Sequence, residues 1–421
     1  MSQELNRREL LVGAAGLALG AAEAKAKVQP PSSRVNIAVI GIGGQGGFSI
    51  KELAKLQPTT NFVALCDVDD ERAGKAYEQF PNAKKFYDWR EMFDKMGKDI
   101  DAVVIATPDH THFHPARQAI LMGKHVYLEK PMAHSVWEVR ELTKLAAEKK
   151  VATQLGVQRH TLPAIHKAVE IVQSGLIGKV TEVHSWIGSN RGMVPVPTDT
   201  PPVPSTLKYD LWLGPGPQRP YTAEIVPYKW RFFWDYGTGE AGNWGCHILD
   251  IPFWALGLTY PTRVNFHDGD PLHAVTTPTK FHVSFQYEKD ITLHWYQGTP
   301  AILKEKGLES KGMNNLFIGE KGMLLCGFDK AELIGIDPAT PTSVKLTKSP
   351  GFHKEWIEAI QGGKPATCHF GYSGPMTETV LLGNVAFRAQ EGFDWDAKSL
   401  KASSMKATAL LRPKFPKGWT V

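Results

Sequence analysis

Val35-Asn-Ile-Ala-Val-Ile40 runs directly into Gly41-Ile-Gly43-Gly-Gln-Gly46, and a helical pattern then continues through Leu56. A short β-rich run, a G-x-G-x-x-G loop and the start of a helix form the context in which a glycine fingerprint means dinucleotide binding. Gly41 permits the tight turn, Gly43 lets backbone approach a pyrophosphate, and Gly46 allows close packing of helix on strand. The helix N-terminus offers unpaired N–H groups and a positive dipole end to phosphates. A second strand, Phe62-Val-Ala-Leu-Cys66, ends in Asp67, 21 residues past Gly46. A carboxylate there accepts hydrogen bonds from the adenosine ribose hydroxyls and repels a 2′-phosphate, so NAD is expected in preference to NADP.

Working outward, strands and helices keep alternating. Ala102–Ala106, His125–Leu128 and Val151–Leu155 read as strands; Pro115–Met122 and Ser135–Lys149 read as helices. That order predicts an α/β domain, a Rossmann-type doubly wound parallel sheet over residues 34–156. Beyond it the pattern changes. Lys179–Gly188, Thr262–His267, Thr279–Tyr287 and Asp290–Tyr296 are alternating or β-rich runs, and His353–Gln361 and Gly374–Gln390 read as late helices. Residues 157–421 are therefore expected to form an α+β domain with a large, mostly antiparallel open sheet. Between its strands lies Val194–Tyr221, a stretch with eight prolines. So long a loop is usually functional or a binding arm.

The 421 residues suffice for two cores. Hydrophobic residues at 42% and charged residues at 22% exclude wholesale disorder and coiled coil. A net charge of +5, with no Lys/Arg block, is no nucleic-acid footprint. The four cysteines form no CxxC pair, which argues against a zinc knuckle or a disulfide scaffold.

The chain opens on Asn6-Arg7-Arg8-Glu9, followed by thirteen uncharged residues, Leu10–Ala22, and a small-x-small site, Ala22-Glu23-Ala24. Thirteen residues are too few to cross a bilayer, which takes about 20. Residues 1–24 resemble a twin-arginine export signal, and 25–33 read as a tether. An exported or periplasmic location is expected.

Three further motifs sit where the strands end. Ala106-Thr-Pro-Asp-His-Thr-His112 closes the third strand read from the sequence, Glu129-Lys130-Pro131 the fourth and Gly156-Val-Gln-Arg159 the fifth. Carboxyl ends of strands form the ligand crevice of open α/β sheets, which makes Thr107, Pro108, Glu129, Lys130 and Gln158 cofactor-site candidates. With Tyr209-Asp-Leu-Trp-Leu-Gly-Pro215, Gly242-Asn-Trp-Gly-Cys-His-Ile-Leu-Asp250 and Phe393-Asp-Trp-Asp396, these motifs resemble the Gfo/Idh/MocA family of oxidoreductases over nearly the whole chain.

The resemblance implies roles. Lys130 would lie beside the nicotinamide and polarise the substrate oxygen; its alternative is a surface lysine paired with Glu129. His112 would line the cofactor cleft. His247 would be the acid/base for the alcohol proton, with a core histidine as its alternative. Helical spacing stacks Asn243 and His247 on one face. Asn243 stands where the family usually has Asp, so it can orient a hydroxyl but cannot act as a carboxylate base. Asp250 is expected to orient His247. In Tyr228–Tyr236, six aromatics in nine residues, Trp230 and Arg231 are candidates for sugar contact, with burial in the core the rival reading. Asp109-His110-Thr-His112-Phe-His114 looks like a metal cluster, but ordinary polar contacts are the expectation, and no metal is assigned. Homo-oligomerisation through the sheet's free face is also implied.

These readings converge on an exported NAD-dependent oxidoreductase for a sugar, sugar derivative or cyclitol, with a tightly held cofactor. Two alternatives stand beside it. One is a redox-neutral glycosidase or epimerase using transient oxidation; the other is a non-catalytic sugar-binding or scaffolding protein.

Overall fold

The computed structural model describes residues 34–420. The readings of an export signal over 1–24 and a tether over 25–33 lie outside the described residues.

Six strands form the first sheet: β1 (Val35–Ile40), β2 (Thr60–Cys66), β3 (Lys84–Phe86), β4 (Ala102–Ile105), β5 (His125–Leu128) and β6 (Thr153–Leu155). Their order is β3-β2-β1-β4-β5-β6 and every pairing is parallel. The order reverses between β1 and β4, and a doubly wound sheet opens its ligand crevice at that switch point. β4 is buried at all four positions, as expected of a strand covered on both faces. Side chains define the helix starts. Asp69 caps Asp70–Gln79 by accepting from the backbone N–H of Glu71 and Arg72. Ser135 and Glu138 form a reciprocal capping box at Val136–Lys149. β3 escaped the sequence reading because it is a three-residue edge strand with two exposed lysines, which carries no apolar pattern.

The second sheet has nine strands: β7 (Val180–Ile187), β8 (Arg263–Gly269), β9 (Phe281–Tyr287), β10 (Ile291–Gln297), β11 (Asn315–Gly319), β12 (Met323–Cys326), β13 (Ala331–Ile334), β14 (Phe393–Asp396) and β15 (Lys401–Ala402). Their order is β13-β12-β11-β7-β10-β9-β8-β14-β15. Only β7 and β10 pair in parallel. One face is covered by the helices Gly239–Leu256 and Phe370–Ala389; Asn315 reaches from β11 to the Ile248 carbonyl, 3.3 Å away. The opposite face carries a small separate apolar cluster around Trp186, Leu316 and Leu325.

The proline-rich stretch is strapped to the first domain. Leu207 bridges Asp69, and the Lys208 N–H donates to the Val68 carbonyl at 2.8 Å. Among the described residues, no helix is long and apolar enough to cross a membrane.

Candidate active site

A cavity of about 940 Å³ opens at the carboxyl ends of β1, β2, β4, β5 and β6, and the second domain forms its far wall. That volume lies in the range of small-molecule sites, and this position is where an open α/β sheet binds ligands.

The adenosine end is built from the first turn. Gly41 takes a φ of +80° that an L side chain rarely adopts, and a Cβ there would also press on the Ala106 carbonyl. At Gly46 a Cβ would overlap the Gly41 carbonyl, so the close packing of helix on strand depends on glycine. The helix Gln45–Ala54 starts at Gly44 with no side-chain cap, leaving its terminal amides for an anion. Asp67, expected at the ribose, is engaged by the backbone around the glycine loop. One carboxylate oxygen accepts from the Ile42 N–H at 2.6 Å and the Gly43 N–H at 2.9 Å, the other from the Asp69 N–H at 3.0 Å. The carboxylate thereby holds the glycine loop in shape while still lining the cavity. Burial raises its pKa, against the pull of those amides. The Arg72 guanidinium donates to the Gly43 carbonyl and its stem packs where a Gly43 Cβ would go.

Thr107 and Pro108 line the cavity, and the buried Thr107 Oγ1 has no hydrogen-bond partner among the described residues. Buried hydroxyls are rarely left unpaired. The orphaned hydroxyl, the uncapped helix start and the glycine turn together fit a dinucleotide.

His112 is placed differently from the expectation. It is buried behind the wall, with its ring nitrogens 2.8 Å from the Pro131 carbonyl and 2.7 Å from the Thr107 carbonyl. It braces the two loops that do line the cleft. His110 is held between the Trp212 and Tyr236 carbonyls, and His114 lies 2.9 Å from the Trp419 carbonyl. The three imidazoles diverge because each serves a different loop.

At the nicotinamide end, Glu129 accepts from the Gln158 amide at 2.7 Å; the same amide donates to Tyr127 OH at 2.8 Å. Burial pushes the Glu129 carboxyl up to about 7, opposed chiefly by Lys130. Lys130 reaches across the domain boundary. Its ammonium donates to the Asn243 carbonyl at 2.7 Å and to Asn243 Oδ1 at 3.2 Å. Burial lowers its pKa, while Glu129 and Asp109 oppose the shift. His247 lies one helical turn past Asn243 and lines the same cavity. Its Nδ1 has no hydrogen-bond partner among the described residues. Burial first, then the charges of Lys130 and Arg159, hold its pKa well below the ordinary histidine value. The ring is therefore neutral at neutral pH.

Asp250 does not orient His247. Its carboxylate faces away, 2.9 Å from His160 Nδ1, and accepts from Tyr372 OH at 2.7 Å. Asp250 lies only three positions past His247 on the same helix, but His160 and Tyr372, from elements packed against that helix, take both of its carboxylate oxygens. The aromatic stretch divides. Phe232, Phe233, Trp234 and Tyr236 are core, whereas Tyr228, Trp230 and Arg231 line the cavity. Trp230 is buried and its ring lies 4.3 Å under the Arg231 guanidinium.

The sequence reading missed several wall residues. Arg191 pairs with the buried Glu240 at 2.7 Å, Trp244 lies beside His247, and Trp419 arrives from the C-terminal end. Arg191 meets Glu240 and Trp419 meets Trp89 far from their own places in the chain, so no local spacing marks those two, whereas Trp244 lies only three positions from His247.

Two family models cover the chain: the oxidoreductase NAD-binding Rossmann fold over residues 35–157, and the oxidoreductase C-terminal α/β domain over residues 163–421. Inositol 2-dehydrogenase of Rubrobacter xylanophilus is 33% identical over 157 residues, which is 37% of this chain and 44% of that protein. scyllo-Inositol 2-dehydrogenase (NAD(+)) of Bacillus subtilis is 32% identical over 146 residues, 35% of this chain and 42% of that protein. The chain thus matches less than half the length of these curated relatives. Among solved structures, the WlbA dehydrogenase of Bordetella pertussis, in complex with NADH and UDP-GlcNAcA, superposes with a TM-score of 0.64 at 16% identity, covering 87% of this chain and all of that one. At that identity the likeness is one of fold. With both domain models matched in order and the glycine turn, Glu129-Lys130-Pro131 and His247 gathered on one cleft, the chain belongs to the Gfo/Idh/MocA family of NAD-binding oxidoreductases.

Proposed function

We propose that this protein is an exported, NAD-dependent oxidoreductase that interconverts a CH–OH group of a sugar, sugar derivative or cyclitol with its carbonyl, and that it holds its cofactor tightly. One observation carries the reading. The Lys130 ammonium, anchored on Asn243, and a neutral His247 without a partner for Nδ1 face the same cavity as a dinucleotide turn. The similarity to two inositol dehydrogenases points to polyols.

Bound NAD supplies the hydride acceptor. The chain's own residues manage the proton and the pose. His247, neutral because it is buried, accepts the hydroxyl proton during oxidation and returns it during reduction. Lys130 donates a hydrogen bond to the oxygen that becomes the carbonyl. Asn243 orients a neighbouring hydroxyl and keeps Lys130 in place. Trp230 and Arg231 form a wall on which a sugar ring can lie. Asp67 favours NAD by repelling a 2′-phosphate.

Paired Arg7 and Arg8 before an apolar run support export as a folded cargo, with the cofactor inside. The strap from Val68 to Lys208 lays Leu207, Leu211 and Trp212 over the adenosine end, which supports slow cofactor release. The half-exposed apolar side chains Ile318, Met323 and Ile334 on the free sheet face support a homo-oligomer.

The test is a panel of aldoses, alditols and inositols incubated with the protein and NAD, followed by mass spectrometry of the sugars and absorbance of reduced nicotinamide. The expected result is a substrate that loses two hydrogens as NADH accumulates. A hydrolysed or epimerised sugar with no net NADH would replace the reading with redox-neutral chemistry. No turnover alongside no NAD binding would remove the enzyme reading.

A further inference from the structure

Away from the cleft, on the face of the second sheet opposite the helix Gly239–Leu256, four histidines from four adjacent strands form one contiguous group. Register puts them there. His184 of β7 and His294 of β10 are Cα partners, and His282 of β9 is the partner of Tyr296 on β10. His267 joins through an irregularity. The register of β8 against β9 shifts between Phe266 and Asp268, and the inserted residue stacks on His282 with ring centroids 4.1 Å apart. Such a bulge re-aims one side chain without disturbing the ladder on either side.

The ring nitrogens converge. His282 Nε2 lies 3.0 Å from His294 Nδ1, and one ring nitrogen from each of His267, His282 and His294 falls within 4.8 Å of the others. Two imidazoles bound at about 2.0–2.1 Å to one tetrahedral ion sit roughly 3.4 Å apart. The His282–His294 pair is already near that spacing, and the third ring, exposed His267, would exchange its 2.8 Å contact from Nε2 to Ser284 Oγ for the ion. The other nitrogen of His294, Nε2, lies 3.5 Å from Glu182 Oε1, close enough that a small side-chain shift gives the carboxylate–histidine contact that orients a ligand ring. The buried His184 stacks on His294 at 4.7 Å, and its Nε2, 3.0 Å from Glu182 Oε1, makes no aligned hydrogen bond among the described residues.

We propose that His267, His282 and His294 form a binding site for a late divalent transition-metal ion, with Glu182 as the positioning carboxylate. Neutral imidazole suits zinc, nickel and copper, and ligand chemistry of this type excludes magnesium and calcium, which take oxygen donors. None of these residues lines the catalytic cavity, so the site stands independently of the oxidoreductase reading.

The experiment uses the full chain stripped with chelator. Zinc is titrated by calorimetry, and cobalt(II) serves as a spectroscopic stand-in whose visible bands report nitrogen donors in low coordination. The expected result is one equivalent per chain at micromolar affinity or tighter. His267→Ala and His282→Ala should each weaken it by more than about 100-fold, and Glu182→Gln by about 10-fold, the lower end for an outer-shell partner. Circular dichroism confirms folding. If His282→Ala does not fold, His267→Ala at the exposed position decides the matter. Absence of saturable binding, or saturable binding that survives His267→Ala, would overturn the proposal.

Discussion

Replacing Lys130 with Met separates chemistry from stability. The substitution removes one charge-assisted hydrogen bond, to the Asn243 carbonyl at 2.7 Å, and a longer one to Asn243 Oδ1 at 3.2 Å. A hydrogen bond from a charged group contributes about 1.5–3 kcal/mol net. Against that, the variant no longer desolvates an ammonium whose pKa burial already pulls down. The Glu129 carboxyl, at about 7 with Lys130 present, rises further without it and is then protonated at neutral pH, so no uncompensated buried charge remains. The net loss should be about 1–2 kcal/mol, a melting shift of a few degrees at most for a chain of this size. Catalysis should suffer more. Removing positioned acid–base help costs roughly 100- to 10,000-fold, or about 3–5 kcal/mol of transition-state stabilisation. The assay is kcat/KM for whichever polyol the panel identifies, beside a thermal melt and a fluorescence titration with NADH. The expected outcome is a folded variant that binds cofactor within a few-fold of native and turns over at least about 100-fold more slowly. Near-native kcat/KM with intact cofactor binding would refute the assignment of Lys130 to the reaction.

Other predictions follow from the same geometry. NAD should bind more tightly than NADP, and Asp67→Ala should narrow the gap while loosening the glycine loop that the carboxylate holds; a native preference for NADP, read by fluorescence titration, would refute the ribose assignment. His247→Ala should lower kcat, whereas Asn243→Ala should raise KM more than it lowers kcat; equal large losses in kcat would show the pair acting as one unit. Because burial lowers the pKa of His247, the base form persists below the ordinary histidine value of 6.5, so oxidation should stay flat from neutral pH downward and its acid limb should lie below that value. The alkaline limb, where Lys130 loses its proton, should lie below 10.5 because burial lowers that pKa too; an acid limb at or above 6.5 in the kcat/KM profile would contradict the buried, neutral His247. Finally, protein purified without added cofactor should release NAD(H) on denaturation, and shortening the exposed Pro195–Pro204 part of the strap should speed cofactor loss without unfolding the chain; empty protein with weak NAD binding would sink the trapped-cofactor idea.

Features that depend on near neighbours in the chain were legible in the sequence. The glycine turn was readable because Gly41, Gly43 and Gly46 recur at a fixed spacing within one strand–loop–helix unit, although Ala106 and Arg72, from distant segments, also crowd Gly41 and Gly43. Asn243 and His247 were readable as a pair because a helix stacks positions four apart. The burial of β4 and the alternation along β10 likewise follow from residue patterns a few positions long.

What joins distant segments was decided by tertiary structure. Asp250 was expected on His247 and instead pairs with His160, 90 residues away, because the packed helix Phe370–Ala389 supplies Tyr372 on that side. His112 turned out to brace the loops of Thr107 and Pro131 rather than line the cleft. Trp419 and Leu207 reach the cofactor end through folds of the chain that no spacing announces. The histidine group belongs to the same class. Its members lie on four strands and meet only through β-sheet register and one bulge in β8. A sequence specifies the alternation of each strand locally, but which strands become neighbours, and in what register, is settled by burial of the whole sheet against its helices. That is a property of the packed chain and not of any window within it.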